Sequence, residues 1–284
     1  MGLDASVMCR CLADGKIALP KFAGSVHVDA DGYLALDAPD EKGALHMRFH
    51  DWMSNACQHP RMLFAREHIG NWTSYRSFQQ ALGIAGWQHF PALKSELPQS
   101  NGGLTQADAA KTMLDELDYF EREGDLGSTT ELIDCATGNA LHEYIETYDG
   151  IFGYGPDGIA RGVDPNGFFV RKRTEENEAE IFRSMRFSQT LIDGSAASNA
   201  LEPSVEYADL ATGKTIRCSY PIVTWKLWPD GRLQNDRGHF NPSFPAELQV
   251  MRRKRTAADF EYVVNQLRKV CRASVETGNP IRWS

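Results

Sequence analysis

The residues best suited to chemistry in this chain are thiols and imidazoles in its first fifth. Cys9 and Cys11 are separated by one residue, and Cys57 and His59 repeat that spacing. Together they make a Cys3His set, and soft thiolates with an imidazole suit tetrahedral zinc. His46 and His50 offer a different arrangement. On a helix they lie one turn apart, about 6 Å along the axis, a spacing at which two imidazoles can share one metal ion. Cys57 falls on the same stripe but about 10 Å beyond His50, whereas ligand bonds are about 2 Å long. That helix therefore cannot supply three ligands to one ion by itself.

Each feature also has a bland reading. A Cys-x-Cys on the inner side of a strand packs as a pair of small hydrophobes, and His46 and His50 flank the apolar face of a half-buried helix. On that reading no cofactor is expected, and zinc stands as the alternative. The chain contains no Gly-x-x-x-x-Gly-Lys, Gly-x-Ser-x-Gly or His-Glu-x-x-His, which removes the readily recognised phosphate-loop, esterase and zincin chemistries. Gly153-Tyr-Gly-Pro-Asp-Gly158 matches Gly-x-Gly-x-x-Gly, but it falls among the turn signals of a β-rich stretch and does not open a helix, the context a dinucleotide site requires. Asp115, Glu116, Asp118, Glu121, Glu123 and Asp125 read as a solvated helix face. Arg171-Lys-Arg173 and Arg252-Arg-Lys-Arg255 sit at expected element ends, where exposed charge is ordinary.

The elements that must position these groups follow from hydrophobic periodicity. Leu3, Ala5, Val7, Cys9 and Cys11 alternate with Asp4, Ser6, Met8 and Arg10, the pattern of a half-buried strand with both cysteines inward. Val26–Val28 and Tyr33–Leu36 flank a turn-rich tetrapeptide and suit a hairpin. Leu45, Phe49, Trp52, Met53 and Ala56 recur at helical spacing between about Glu41 and Gln58, and the His59-Pro60 step should end that helix. A short strand over Met62–Ala65 and a second helical stripe from Trp72 to Leu82 come next. After the break at Leu97–Gly103, Thr105 with Asp108 resembles a capping box ahead of Met113, Leu117 and Phe120.

From Ser128 to about Arg253 short β-rich runs alternate with turn signals, which predicts an antiparallel β lobe. Within it Asp134-Cys-Ala-Thr-Gly138 is echoed by Asp209-Leu-Ala-Thr-Gly213, an echo that shared turn chemistry explains better than duplication. Thr256 and Asp259 form a capping box for a last helix carrying Phe260, Val264, Leu267 and Cys271 on one side. Gly278 falls at its C-terminal cap, and Pro280–Trp283 reads as a strand. The expected organisation is an α+β fold with an N-terminal part at 1–124, the inserted β lobe at 128–253, and a helix and strand at 256–284 completing the N-terminal part.

With 284 residues, 42% hydrophobic and 24% charged, the chain has the composition of a globular protein able to bury a sizeable core. A net charge of −8 argues against nucleic acid as the dominant partner. No window approaches the ~20 apolar residues of a membrane helix, and the start carries no cationic stretch followed by an apolar run. Six scattered cysteines in a chain of this size read as free thiols in a reducing compartment, hence the cytoplasm.

Gly2-Leu3-Asp4-Ala5 with Cys9 and Cys11, then Ile69-Gly70-Asn71-Trp72, Phe90-Pro91, Leu97-Pro98, Asn101-Gly102-Gly103 and Ala273-Ser-Val-Glu-Thr-Gly-Asn-Pro280, resemble a family of uncharacterised bacterial proteins. The resemblance spans most of the chain. It implies one folded unit in a bacterial cytosol and carries no activity. The functional expectation is a non-catalytic protein that binds another protein, of the immunity, antitoxin or defence-accessory type. The alternative is a metal-assisted hydrolase using the His and Cys residues of the first helix and strand.

Trp228 is the candidate partner contact. In the run Ile222–Trp228, period-two alternation puts Val223, Trp225 and Leu227 on one face and Thr224, Lys226 and Trp228 on the wetter one. Trp225→Ala should therefore cost about 3–5 kcal/mol in urea unfolding, and Trp228→Ala almost nothing. Equal losses would show that the facing is reversed.

Overall fold

The computed structural model describes residues 2–20, 22, 26–28, 34–36, 43–123, 125–155, 158–173, 177–192, 204–219, 226–227, 233–234, 240–241 and 245–284. The fold is α+β, and the chain divides into two compact units, Met1–Gly127 with Arg255–Ser284, and Ser128–Lys254. Among the described residues no helix is long and apolar enough to cross a membrane.

The first unit begins with strand β1 (Gly2–Met8), the short hairpin β2 (Val26–Val28) and β3 (Leu34–Leu36), and helix α1 (Ala44–Asn55). It continues through β4 (Leu63–Asn71), α2 (Trp72–Ala85), α3 (Pro91–Glu96), β5 (Leu104–Thr105) and α4 (Ala107–Arg122). Among its described residues the second unit is built of strands, apart from one 3-10 turn at Glu146–Tyr148. β6 (Ser128–Asp134) and β7 (Ala140–Glu143) form a hairpin, followed by β8 (Ile151–Tyr154), β9 (Ile159–Asp164), β10 (Gly167–Arg173) and β11 (Glu178–Ser184). Then come β12 (Arg186–Ile192), β13 (Ser204–Asp209) and β14 (Thr215–Ser219), three two-residue strands β15 (Lys226–Leu227), β16 (Leu233–Gln234) and β17 (Phe240–Asn241), and β18 (Glu247–Lys254). The chain returns to the first unit with α5 (Glu261–Thr277) and β19 (Ile281–Trp283).

The sheet of the first unit has the order β4-β1-β19-β5. The last strand thus lies in its interior, paired antiparallel with β1 through Ala5↔Trp283, Ser6↔Arg282 and Val7↔Ile281. Alternation assigns each face. Leu3, Ala5 and Val7 of β1 and Ile281 of β19 are fully buried in a core shared with α2, α4 and α5. Three phenylalanines seal that core: Phe120 meets Phe78 at 5.1 Å and Phe260 at 5.7 Å, both edge to face, a geometry that aromatic quadrupoles favour. Asp4, Ser6 and Met8 occupy the alternate positions of β1 and line a cavity on the other side, together with Arg282.

Capping explains where α5 starts and stops. Thr256 and Asp259 form a reciprocal capping box on the 3-10 turn Ala257–Phe260 that leads directly into α5, and Gly278 closes the helix in the left-handed conformation at φ 70°, which a residue without Cβ adopts at no steric cost. The corresponding expectation for α4 needs correction. Thr105 belongs to β5, opposite Ile281, and its hydroxyl accepts from Trp283 Nε1 at 3.0 Å, so it cannot cap a helix that begins two residues later. Nor is Glu116 solvated: it is buried, and its carboxylate accepts the backbone N–H groups of Ala92 and Leu93 at 2.8 and 2.7 Å. These are orphan donors at the start of α3, so the acid caps a neighbouring helix across the core. β4 is also longer than the short strand expected at Met62–Ala65.

In the second unit Phe168, Phe182, Phe187 and Tyr207 gather at the centre of the core, with Phe168 and Phe187 stacked at 4.3 Å. The two Asp-x-Ala-Thr-Gly segments form the same turn. Asp134 accepts the backbone N–H of Ala136 and the Thr137 hydroxyl, and Asp209 accepts those of Ala211 and Thr212. Gly138 and Gly213 follow at φ 73° and 74°, a region where a Cβ would be strained. The donors that meet Asp209, first the Ser184 hydroxyl and then that of Thr212, hold its carboxyl below the usual range.

Because β19 lies between β1 and β5, the N-terminal segment alone lacks a central strand. Its helices also lose the surface that Val264, Leu267, Val270 and Cys271 of α5 cover, all at most 1% exposed. Removing residues 256–284 should abolish cooperative unfolding of the first unit in denaturant. A cooperatively folded fragment 1–124 would contradict this.

Candidate metal centre

β1 ends at Met8, and the two cysteines that follow leave the large core for a smaller one. That cluster is formed by Cys9, Cys11, Leu34, Phe49 and Met62, with Trp52, Met53, Cys57 and Phe64 packed against it. Asn279 Nδ2 donates to the Met8 carbonyl at 2.9 Å, and the Cys9 N–H donates to the Met62 carbonyl at 2.8 Å. The second bond ties the exit of β1 directly to the segment before β4. The Cys11 carbonyl accepts from the N–H groups of Lys16 and Ile17, closing a turn immediately after the cysteine pair.

The other two donors follow α1. This helix is weakly held by its own sequence. Its N-terminus is Gly43 in the left-handed region with no side-chain cap, and Phe49, 3% exposed, is its one buried residue. Cys57 and His59 come just beyond its end. His59 is extended at φ −93°, ψ 115°, as a residue preceding proline should be. Its ring lies 5.6 Å from that of Phe64.

These segments place four ligand atoms, the sulfurs of Cys9, Cys11 and Cys57 and a ring nitrogen of His59, within 4.8 Å of one another. Cys9 Sγ is 3.8 Å from Cys57 Sγ; His59 Nδ1 is 3.3 Å from Cys11 Sγ and 3.7 Å from Cys57 Sγ. With Zn–S near 2.3 Å and Zn–N near 2.05 Å, a regular tetrahedron requires about 3.8 Å between sulfurs and about 3.6 Å between sulfur and nitrogen. The three separations lie within about 0.3 Å of those values, and the remaining ones do not exceed 4.8 Å. All six cysteines are free, so the proximity is not that of a disulfide. Burial, followed by the neighbouring thiols, pushes the Cys9 thiol up to about 12.

The other sequence candidates fall differently. His46 and His50 are exposed on α1 and line the cavity beside the sheet. They form no group of three with another His, Cys, Asp or Glu among the described residues. Trp228 lies outside the described residues, as does Trp225. Cys271 is fully buried in the large core, where desolvation pushes its thiol up to about 12. Of the basic groups, Arg253 pairs with Glu131 at 2.7 Å and Arg255 is buried, donating to Ser77 at 3.3 Å.

Sequence reasoning missed Arg61, Arg66, Ser6 and Arg282, which border the same cavity as His46 and His50. The polar half of the β1 alternation was the available signal for Ser6. Arg61 and Met62 adopt φ 54° and 59°, an uncommon conformation for residues with a Cβ, and no residue pattern announces it. Searches against protein families, curated proteins and solved structures find no match to this chain.

Proposed function

We propose that this protein is a zinc-stapled binding protein in which the metal is structural and no reaction is catalysed at it. The observation that carries the reading is the group of four donor atoms within 4.8 Å, drawn from two segments that are far apart in sequence. Four protein ligands complete a tetrahedral zinc shell, and structural sites are closed in this way, whereas catalytic ones keep a position for water. The metal-assisted hydrolase therefore has no open coordination site at the Cys3His cluster. His46 and His50 supply two ligands and find no third among the described residues.

The binding reading keeps the partner class that the sequence favours, another protein in an immunity, antitoxin or defence-accessory context, and a cytoplasmic location where thiols stay reduced. Zinc in such a setting would be a folding device. The subcore around it is small, and chains that cannot bury enough apolar surface use a metal to make up the deficit.

The test is metal content and thermal stability of the purified chain. One zinc per chain is expected, lost in Cys9→Ser and Cys57→Ser, with Tm lowered by roughly 10 °C, as a loss of several kcal/mol implies at this size. A folded wild-type protein without zinc, or zinc retained by both variants, would overturn the proposal.

A further inference from the structure

The face of the first sheet turned away from the large core does not simply meet solvent. Between it, α1 and β3 lies a cavity of about 800 Å³, within the range of small-molecule sites. Its wall is divided. Met8, Leu36, Phe49, Met53 and Leu63 supply apolar surface, and Arg61, Arg66 and Arg282 line it from different segments.

The strand register explains the charge. Ser6 is opposite Arg282 on β19 and opposite Arg66 on β4, so two arginines flank one serine across three strands. Arg282 is 8% exposed, and its Nη2 donates to Ser6 Oγ at 3.1 Å. Arg66 is more open, and its contact with Asp4 is long, 3.9 Å. Asp4 itself is engaged by His68 Nδ1 at 2.7 Å. The other lining side-chain carboxylate is Asp51, Ser284 at the end of the sequence also borders the cavity, and His46 and His50 stand on the same helix as Asp51. In a chain of net charge −8, three arginines from three segments gather at this one cavity beside two side-chain carboxylates, one of them already bonded to an imidazole.

Arg61 carries a further indication. It and Met62 are held in the left-handed region at φ 54° and 59°, a cost that persists where surrounding structure enforces it and that clusters at ligand sites. Met62 is fully buried and its carbonyl accepts from Cys9 N–H, so the turn that fixes His59 also presents Arg61 at the cavity rim.

We propose that this cavity binds a small organic anion, a phosphate or carboxylate head on an apolar body. The head would meet Arg282, Arg66 and Arg61, which recognise oxyanions through paired N–H donors, and the body would lie along Phe49, Met53 and Leu63. The inference deepens the binding reading above and rests on it only in taking α1 to be held by the metal.

The experiment is calorimetric titration of the full-length chain, with zinc measured on the same sample. The probes are phenyl phosphate, benzoate, inorganic phosphate and phenol. Saturable binding of phenyl phosphate or benzoate is expected, stronger than for inorganic phosphate or phenol, and the comparison of the first two identifies the head group. Arg61→Ala and Arg66→Ala, both at exposed positions that should leave folding intact, are each expected to weaken binding about tenfold, the size of a lost charge-assisted hydrogen bond. Arg217→Ala, on β14 of the other unit, should have no effect. If neither organic anion binds, or if the Arg61→Ala, Arg66→Ala double variant binds as wild type does, the proposal is wrong. Zinc-loaded protein that fails to bind removes this inference alone; zinc-free protein that binds removes the metal reading alone.

Discussion

Everything on the outer side of the first sheet depends on how the excursion between β1 and β4 is pinned at its base. The excursion leaves at Cys9 and Cys11 and returns at Cys57 and His59, and the four donor atoms come within 4.8 Å. One backbone bond, Cys9 N–H to the Met62 carbonyl, joins the two ends. Between them α1 begins without a side-chain cap and buries only Phe49, while β2 and β3 form a three-pair hairpin. Short helices and two-stranded hairpins are marginal alone, and closing a long loop costs entropy that such elements cannot repay. A metal at the base would remove much of that cost, because its binding free energy becomes folding free energy.

The large core has no such dependence. Leu3, Val7, Phe78, Leu117 and Leu267 are all fully buried in it, and β19 and α5 return after the β unit to complete the sheet and its cover. The same strands therefore serve two purposes. One set of alternating side chains builds a dry core, and the other, Ser6, Arg66 and Arg282 among them, is left as the floor of a polar cavity that α1 roofs. Positioning α1 is what turns an open sheet face into an enclosed site, so the metal would act on ligand binding through placement and not through chemistry.

How much of this could be read in the sequence follows from how local each signal is. The capping box of α5, its terminal glycine and the paired Asp-x-Ala-Thr-Gly turns are set by residues within five positions of one another, and they appear in the structure as their residue types dictate. The four donors were nameable as a set because their types are distinctive, although their convergence depends on the fold. Thr105 and Glu116 show the opposite case: both carry the right residue for a local role, and a distant partner, Trp283 for the first and the start of α3 for the second, claims them instead. Arg61 gave no signal because left-handed backbone at an arginine is imposed by the neighbours of the turn. Arg282 was readable as polar within a strand, yet its place beside Ser6 required knowing that the last strand pairs with the first.

The central claim is that the base of the excursion is a Cys3His zinc clasp, and X-ray absorption at the zinc edge of the purified protein tests it most directly. The account predicts three sulfur neighbours at about 2.3 Å and one nitrogen at about 2.0 Å, with no water in the shell. A shell of nitrogen and oxygen neighbours, as adventitious zinc on the exposed His46 and His50 would give, would contradict it.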